Sequence, residues 1–300
     1  FPGRSRAFLK IQDGCESFCS YCIVPFSRGP YRSLPPDDVL QVMENLAAEG
    51  YKEVVLTGIH LGKYGADLGG KEDLKGILRA IGRRGLPLRV RLSSLEPGEI
   101  DDELIEMVAS EEWLCRHFHI PLQSGDDGIL RRMSRTYSRR TFGSLVKKIN
   151  EAIPLGAIGV DVMTGFPGED EAAHLNTFNL LDDLPVSYLH VFPYSRRPGT
   201  PAAGFADQVS PAEKKKRAAE LRALGARKKN LFHENCLGKD FQVVIEESHA
   251  KGNKLLKGIS DNYIPVLIPS LASIHGHLVS VRIDKVEKDQ VIGHAVHSKL

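Results

Sequence analysis

The alternation of strand-like and helix-like segments is the feature that most constrains the fold of this 300-residue chain. Between residues 7 and 192, short apolar runs alternate with amphipathic segments of helical period. The predicted strands cover residues 7–11, 53–57, 89–94, 117–120, 158–164 and 188–192. The predicted helices cover residues 36–49, 73–83, 101–109, 139–152 and 169–181. This order predicts an α/β fold with a parallel sheet and right-handed crossovers, as an incomplete barrel or a strongly curved open sheet.

The pattern changes after residue 210. Ser210 and Glu213 form a capping box around Pro211, and the helix that follows is predicted to reach residue 233. This helix is rich in lysine and arginine, which favours a solvated face over a direct RNA contact. Short strands are then predicted at residues 241–246, 255–259, 263–268, 278–286 and 291–296. Five short strands predict a small barrel of the oligonucleotide-binding type, so we expect two domains, 1–235 and 236–300.

Three of the five cysteines lie close together, directly after the first predicted strand. Cys15, Cys19 and Cys22 have the spacing Cys-x3-Cys-x2-Cys, and thiolates are the usual ligands of [4Fe-4S] clusters. Three thiolates leave one iron open, either for a distant fourth ligand or for a small molecule. Because the loop follows a strand, it lies at the carboxyl ends of the sheet, where ligands gather in both candidate architectures.

Two other interpretations of these cysteines stay open. A structural zinc site usually needs a second pair of ligands, and no second Cys-x2-Cys or His-x3-His follows in the sequence. Buried, inert thiols are the third interpretation. The spacing favours an iron-sulfur cluster over zinc, while Cys115 and Cys236 are isolated from the triad and from each other.

The composition limits the class of protein. An odd number of cysteines in a chain without a signal peptide or a membrane-length apolar run predicts a reducing, cytoplasmic compartment and no membrane partner. The net charge of +2 neither indicates nor excludes a nucleic-acid partner, so any basic surface must be local.

Several motifs in order along the chain resemble those of the radical S-adenosylmethionine (SAM) methylthiotransferases. They are the cysteine motif from Gln12 to Cys22 and the segments 55–65, 119–125, 164–169, 190–195 and 199–202. The resemblance spans the whole chain and implies a partial (β/α)6 radical-SAM barrel followed by a small all-β TRAM barrel, which is OB-like and binds RNA. Segment 56–65 is most similar to the type that acts on threonylcarbamoyladenosine in tRNA.

The resemblance also implies a cofactor site. Cys15, Cys19 and Cys22 would hold a [4Fe-4S] cluster whose open iron binds SAM, and cleavage of SAM would give a 5′-deoxyadenosyl radical. The residues expected to contact SAM are Tyr21, Thr57, Gly58, Ser94, Glu96, Gln123, Ser124, Arg135, Gly165 and Phe192. Among them Arg135 would pair with the methionyl carboxylate, because a guanidinium can donate two parallel hydrogen bonds to a carboxylate. No catalytic side chain is identified.

Several of these positions have structural explanations as well. Tyr21 could shield the cluster from water, Ser94 and Glu96 could form a turn into the next helix, and Gly165 could serve a tight turn. His60, His119 and His190 stand at predicted strand ends, where a structural role is favoured over a catalytic one.

The partners follow from the same resemblance. The substrate would be adenosine 37 in the anticodon stem-loop of tRNA bearing a threonylcarbamoyl group; isopentenyladenosine tRNA and a ribosomal-protein aspartate are alternatives. A second [4Fe-4S] cluster is expected in an amino-terminal domain that this sequence lacks, and a flavodoxin or ferredoxin would supply electrons to a monomer. The small barrel could bind the phosphates of RNA through Lys239, Lys251, Lys254 and Lys257. An alternative to an enzyme is a tRNA-binding module whose metal has only a structural role.

Overall fold

The computed structural model describes residues 5–248, 255–269, 276–287 and 290–296. Lys251 and Lys254, named above as possible phosphate contacts, lie outside these residues. The strands before residue 200 are β1 (Arg6–Asp13), β2 (Arg32–Ser33), β3 (Glu53–Gly58), β4 (Arg89–Leu92), β5 (His117–Gln123), β6 (Ala157–Thr164) and β7 (Tyr188–Pro193). The helices are α1 (Val24–Arg28), α2 (Pro36–Ala48), α3 (Leu74–Arg83), α4 (Asp102–Ser110), α5 (Asp127–Arg132), α6 (Arg139–Ala152), α7 (Glu171–Asp183) and α8 (Pro211–Asn235).

Six parallel strands form the larger part of the protein, divided between two sheets. β1, β3 and β4 are parallel neighbours, with the short β2 antiparallel to β1, and β5, β6 and β7 form the second sheet. The sheets adjoin where Val90 of β4 pairs with Leu114, just before β5. The predicted α/β fold with parallel strands is confirmed, and the strands surround a cavity that both sheets line.

Apolar side chains explain these elements. Val54, Val55 and Leu56 of β3 are buried on both faces of the strand, as expected for a parallel sheet covered by helices. Most helices begin at a side chain that accepts a backbone hydrogen bond, and such caps contribute about 1 kcal/mol each. The capping residues of this kind are Asp73, Asp101, Asp126, Ser138, Asp170 and Ser210.

A closed five-stranded barrel follows α8. Its strands are β8 (Asp240–Ser248), β9 (Leu255–Ser260), β10 (Pro265–Pro269), β11 (Leu278–Glu287) and β12 (Gln290–Ala295), in the order β10-β12-β11-β8-β9. This confirms the small all-β barrel. One predicted boundary is wrong: the strand expected at 263–268 begins at Pro265, because Tyr263 has a φ of 66° and lies in the turn after β9. No helix among the described residues is long and apolar enough to cross a membrane.

The small barrel packs against the amino-terminal ends of the parallel strands. Arg89 donates hydrogen bonds to the backbone carbonyls of Gln242 and Ile259 at 2.6 and 2.8 Å. Arg91 donates in the same way to Ser260 and Asp261 at 2.8 and 3.0 Å. The barrel therefore closes the end of the cavity opposite the carboxyl ends of the strands, and we call this end the floor.

Candidate active site

The cysteine loop begins where β1 ends, at the carboxyl ends of the parallel strands. Gly14 has a φ of 76°, and a Cβ atom there would lie 1.8 Å from the carbonyl oxygen of Pro30, so only glycine fits this turn. The Cys15 amide then donates to Gly29 O at 3.0 Å. Further along, the Ser20 amide donates to Met133 O at 3.1 Å and its hydroxyl to Arg132 O at 2.7 Å. The backbone of the loop is held at both ends.

All five cysteines lie in the described part of the chain and are free thiols. In the loop, Cys15 Sγ lies 3.6 Å from His60 Nδ1, and the Arg135 guanidinium donates to Cys19 Sγ at 3.3 Å. Burial raises the pKa of Cys15, but hydrogen bonds from His60 and Ser17 outweigh it and leave the pKa below its ordinary value. Sulfur atoms that accept hydrogen bonds from a guanidinium and an imidazole are suited to the thiolate state, which is the state that binds iron. The loop therefore fits a cluster with three thiolate ligands.

His60 belongs to a small polar group behind Cys15. Its Nε2 lies 2.6 Å from the Glu99 carboxylate, and its backbone amide donates to the Gln12 side chain at 2.7 Å. Burial alone would lower the pKa of His60. The contacts with Cys15 and Glu99 have the larger effect and raise the pKa to about 9. The sequence predicted a structural role for His60 and did not predict its contact with Cys15. No local sequence pattern reveals this contact, because Cys15 and Glu99 are far from His60 in the sequence.

Arg135 brings together three of the residues predicted to form the cofactor site. Besides Cys19 it contacts the Glu96 carboxylate, and it donates to the Tyr21 hydroxyl at 3.5 Å. Burial raises the pKa of Glu96, although Arg135 acts to lower it. Cys19, Glu96 and Arg135 line a cavity of about 400 Å³, which we call the loop cavity. A partly buried guanidinium beside a cysteine of the loop is placed to bind the carboxylate of a ligand there.

Three further predicted residues line a second cavity between the two sheets. This lumen cavity of about 420 Å³ is bordered by Thr57 and Ser94 on one side and by Phe192 on the other. Phe192 is 52% exposed, which leaves its ring available to a planar ligand. The Ser93 hydroxyl beside Ser94 is buried and has no hydrogen-bond partner among the described residues.

The remaining predicted residues have other local roles in the structure. Ser124 is buried, and its hydroxyl accepts from the Asp126 amide at 3.2 Å at the start of α5. Gly165 has a φ of 72°, and a Cβ atom there would meet the side chain of Lys214. Gly58 packs on Gln12, and Gln123 ends β5 with a φ of 61°. Their roles toward a cofactor stay predictions.

A family model for the radical SAM superfamily matches residues 9–181. The chain belongs to the radical SAM superfamily. Members of this superfamily use a [4Fe-4S] cluster and SAM, as predicted from the cysteine spacing and the motifs.

Curated relatives within this superfamily show a narrower likeness. The chain is 38% identical over 287 residues to the threonylcarbamoyladenosine tRNA methylthiotransferase MtaB of Bacillus subtilis (strain 168), covering 95% of this chain and 64% of the relative. It is 35% identical over 292 residues to the tRNA-2-methylthio-N(6)-dimethylallyladenosine synthase of Staphylococcus aureus (strain JH9), covering 97% of this chain and 57% of the relative. The resemblance to radical SAM methylthiotransferases is confirmed, and the chain spans less than two thirds of these relatives.

The fold has a solved counterpart in the superfamily. The radical SAM methyltransferase TsrM from Kitasatospora setae, with cobalamin and a [4Fe-4S] cluster bound, superposes with a TM-score of 0.55. The match covers 65% of this chain and 35% of that chain at 22% identity. At this level of identity the likeness shows the fold of the parallel-stranded part.

Proposed function

We propose that this chain is the radical SAM and RNA-binding part of a transferase that adds a methylthio group to C2 of N6-threonylcarbamoyladenosine 37 in tRNA. The observation that carries the proposal is the cysteine loop. Three free thiols, two of them hydrogen-bonded by His60 and Arg135, stand at the carboxyl ends of parallel strands in a chain of this superfamily.

Each group of residues has a task in this proposal. Cys15, Cys19 and Cys22 hold the cluster, and the cluster with SAM supplies an organic radical that removes a hydrogen atom from the substrate. Arg135 binds the methionyl carboxylate of SAM, and this displaces its present partner Glu96.

The walls around the site position the substrate. Thr57 and Ser94 hold polar groups of SAM or substrate at the mouth of the lumen cavity, and Phe192 stacks on a base. Backbone hydrogen bonds from the cysteine loop to Met133 and Gly29 hold its cysteines in place.

The choice of substrate rests on the relatives. Identity is 38% to an enzyme named for threonylcarbamoyladenosine and 35% to one named for dimethylallyladenosine, so the first type is favoured and the second is the alternative. The closed barrel of β8–β12 is proposed to be a TRAM domain that contacts tRNA, and Lys239 and Lys257 are its described candidates for phosphate contacts. A tRNA substrate also supports a cytoplasmic location.

Complete turnover needs more than the described site. We propose that a second [4Fe-4S] cluster, held by protein outside this sequence, carries the sulfur, and that a flavodoxin or ferredoxin supplies electrons. Over a third of the Bacillus subtilis relative lies outside the match, because the match covers 64% of that protein.

Mass spectrometry of tRNA tests the substrate. Cells without the gene should lack 2-methylthio-N6-threonylcarbamoyladenosine and accumulate the unmodified threonylcarbamoyladenosine. Full-length protein should restore it, and the same protein with Cys19→Ala should not. Intact methylthio-threonylcarbamoyladenosine in the deletion strain, with loss of the methylthio group from isopentenyladenosine instead, would refute the choice.

A further inference from the structure

Three potential metal ligands face one another in the lumen cavity, away from the cysteine loop. They are His119 on β5, Asp161 on β6 and His190 on β7. His119 Nε2 lies 2.8 Å from Asp161 Oδ1, His190 Nδ1 lies 3.4 Å from the same oxygen, and all three ligand atoms lie within 4.8 Å of one another. We propose that this triad binds a divalent first-row transition metal ion, with Zn²⁺ and Fe²⁺ as the best candidates.

The donor set and its spacing suit such an ion. Two imidazoles and one carboxylate bind zinc, iron and related metals and leave further coordination positions open. With metal–ligand bonds of about 2.0–2.1 Å, neighbouring ligand atoms lie roughly 2.8–3.4 Å apart in octahedral or tetrahedral geometry. The two distances to Asp161 Oδ1 agree with this range. Because the ligands stand on three adjacent parallel strands, their backbone positions are held by the sheet.

The charges around Asp161 point the same way. About one fifth of its side chain is exposed, and its carboxylate lies against the rings of His119 and His190. Among the described residues no lysine or arginine pairs with Asp161. The two arginines that line the same cavity are engaged elsewhere: Arg91 with Glu53 at 2.9 Å and Arg6 with Glu246 at 2.6 Å. A bound divalent ion would give this carboxylate the cationic partner that no described lysine or arginine supplies.

A second layer of contacts orients one of the histidines. The Tyr188 hydroxyl lies 3.1 Å from His119 Nδ1 and 2.8 Å from His117 Nε2. In the tautomer that leaves its Nε2 unprotonated, His117 accepts a hydrogen bond from the Tyr188 hydroxyl. Tyr188 can then accept from His119 Nδ1–H, which leaves the His119 Nε2 lone pair for a metal, the arrangement found around many metal-bound histidines.

The open side of the triad faces the lumen cavity. His190 has a half-exposed side chain and lies edge-on to Phe192 at 6.4 Å between ring centroids. An ion bound here could take an oxygen or nitrogen atom of a molecule in the cavity as a further ligand. The site shares no ligand with the proposed cluster, since its three ligands stand on the strands and not on the cysteine loop.

Zinc binding to cluster-loaded protein tests the site. After gel filtration under anaerobic conditions, wild-type protein should retain a single Zn²⁺ per chain in addition to the cluster iron. The His190→Gln variant removes the most exposed ligand and should lose this zinc while the iron content is unchanged. The matched control is His294→Gln, which removes an exposed histidine that lies 2.7 Å from Asp284 in the small barrel and should leave zinc binding unaffected.

Two further measurements separate a metal site from a hydrogen-bonded triad. Tyr188→Phe should weaken zinc binding about 10- to 100-fold, as loss of an outer contact to a ligating histidine does. Co²⁺ added to protein that lacks the three loop cysteines should give the bands of nitrogen and oxygen coordination. No retained zinc in the wild-type protein, or equal zinc in His190→Gln, would overturn the proposal and leave a triad held by hydrogen bonds alone.

Discussion

The two ends of the lumen satisfy their polar groups in different ways. At the floor, Glu53 is fully buried, and Arg89 and Arg91 donate to its carboxylate at 2.7 and 2.9 Å. Their remaining donors reach backbone carbonyls of the small barrel. At the other end, Cys15 and Cys19 contact His60 and Arg135 at 3.6 and 3.3 Å, ordinary distances for hydrogen bonds to sulfur.

This difference indicates what each end is for. A buried carboxylate that accepts from Arg89 and Arg91, with Arg6 3.5 Å away, has its charge compensated within the protein, which indicates a structural role. Three thiolates gathered on one loop are the usual ligands of an iron-sulfur cluster. The floor therefore joins the small barrel to the parallel sheets, and the cysteine end is where we propose that the chemistry takes place.

The largest expected effect is at the cysteine end. Cys19→Ala removes one of three cluster ligands and should abolish iron binding after anaerobic reconstitution, while the protein remains folded. Cys236→Ala is the matched control: this buried thiol lies in the small barrel, where burial raises its pKa to about 11. Iron and sulfide analysis checks both, and retention of a full cluster by Cys19→Ala would show that this loop is not the cluster site.

The next effect is at the floor. Glu53→Gln leaves Arg89 and Arg91 without their carboxylate and should lower the free energy of unfolding by about 3–5 kcal/mol, because it exposes unpaired buried charge. Denaturant unfolding measures this change. The control Asp240→Asn breaks an exposed pair with Arg282 and should have little effect. Equal losses in both variants would contradict the role given to the floor.

A smaller effect is expected at the loop cavity. Arg135→Gln should weaken SAM binding to cluster-loaded protein about tenfold, or about 1.4 kcal/mol, because a charged hydrogen bond to the carboxylate is lost. Arg135→Lys should recover part of the affinity for SAM, since lysine keeps the positive charge but cannot form the bidentate hydrogen bond. Equilibrium binding with matched iron contents checks this, and unchanged affinity in Arg135→Gln would remove Arg135 from the SAM site.

The smallest effect is the acid dependence of the floor. Burial raises the pKa of Glu53, but Arg91 and Arg89 outweigh it and hold the pKa far below the ordinary value of 4.5. A carboxyl group whose pKa is lower in the folded than in the unfolded protein stabilises the fold at any pH above its unfolded pKa. This stabilisation is lost as the pH falls from the unfolded pKa towards the folded pKa. The difference in unfolding free energy between wild type and Glu53→Gln should therefore be constant near neutral pH and shrink in acid. A difference that grows in acid would contradict this sign.

Much of the fold follows from local patterns. The helix predicted at residues 139–152 matches α6 because Ser138 caps it and its apolar spacing is regular. By contrast, α1 (Val24–Arg28) and α5 (Asp127–Arg132) were not predicted, since five or six residues carry too few turns to show a period. The division of the parallel strands into two sheets depends on contacts between sheets, which no local pattern specifies.

The site shows the same limit. Arg135 and Glu96 were predicted as SAM contacts, and Arg135 meets both Glu96 and Cys19 because the ends of parallel strands converge. Glu53 was not singled out, because one acidic residue at the start of a strand looks ordinary until the register places Arg89 beside it. The contacts of both arginines with the small barrel depend on how that barrel docks on the parallel sheets.

Electron paramagnetic resonance of the anaerobically reconstituted chain tests the central claim most directly. The reduced protein should give the signal of a single [4Fe-4S] cluster, and SAM should change that signal because it binds the open iron beside Cys15, Cys19 and Cys22. A colourless protein with one zinc on the cysteine loop, or a cluster signal that SAM leaves unchanged, would contradict the account.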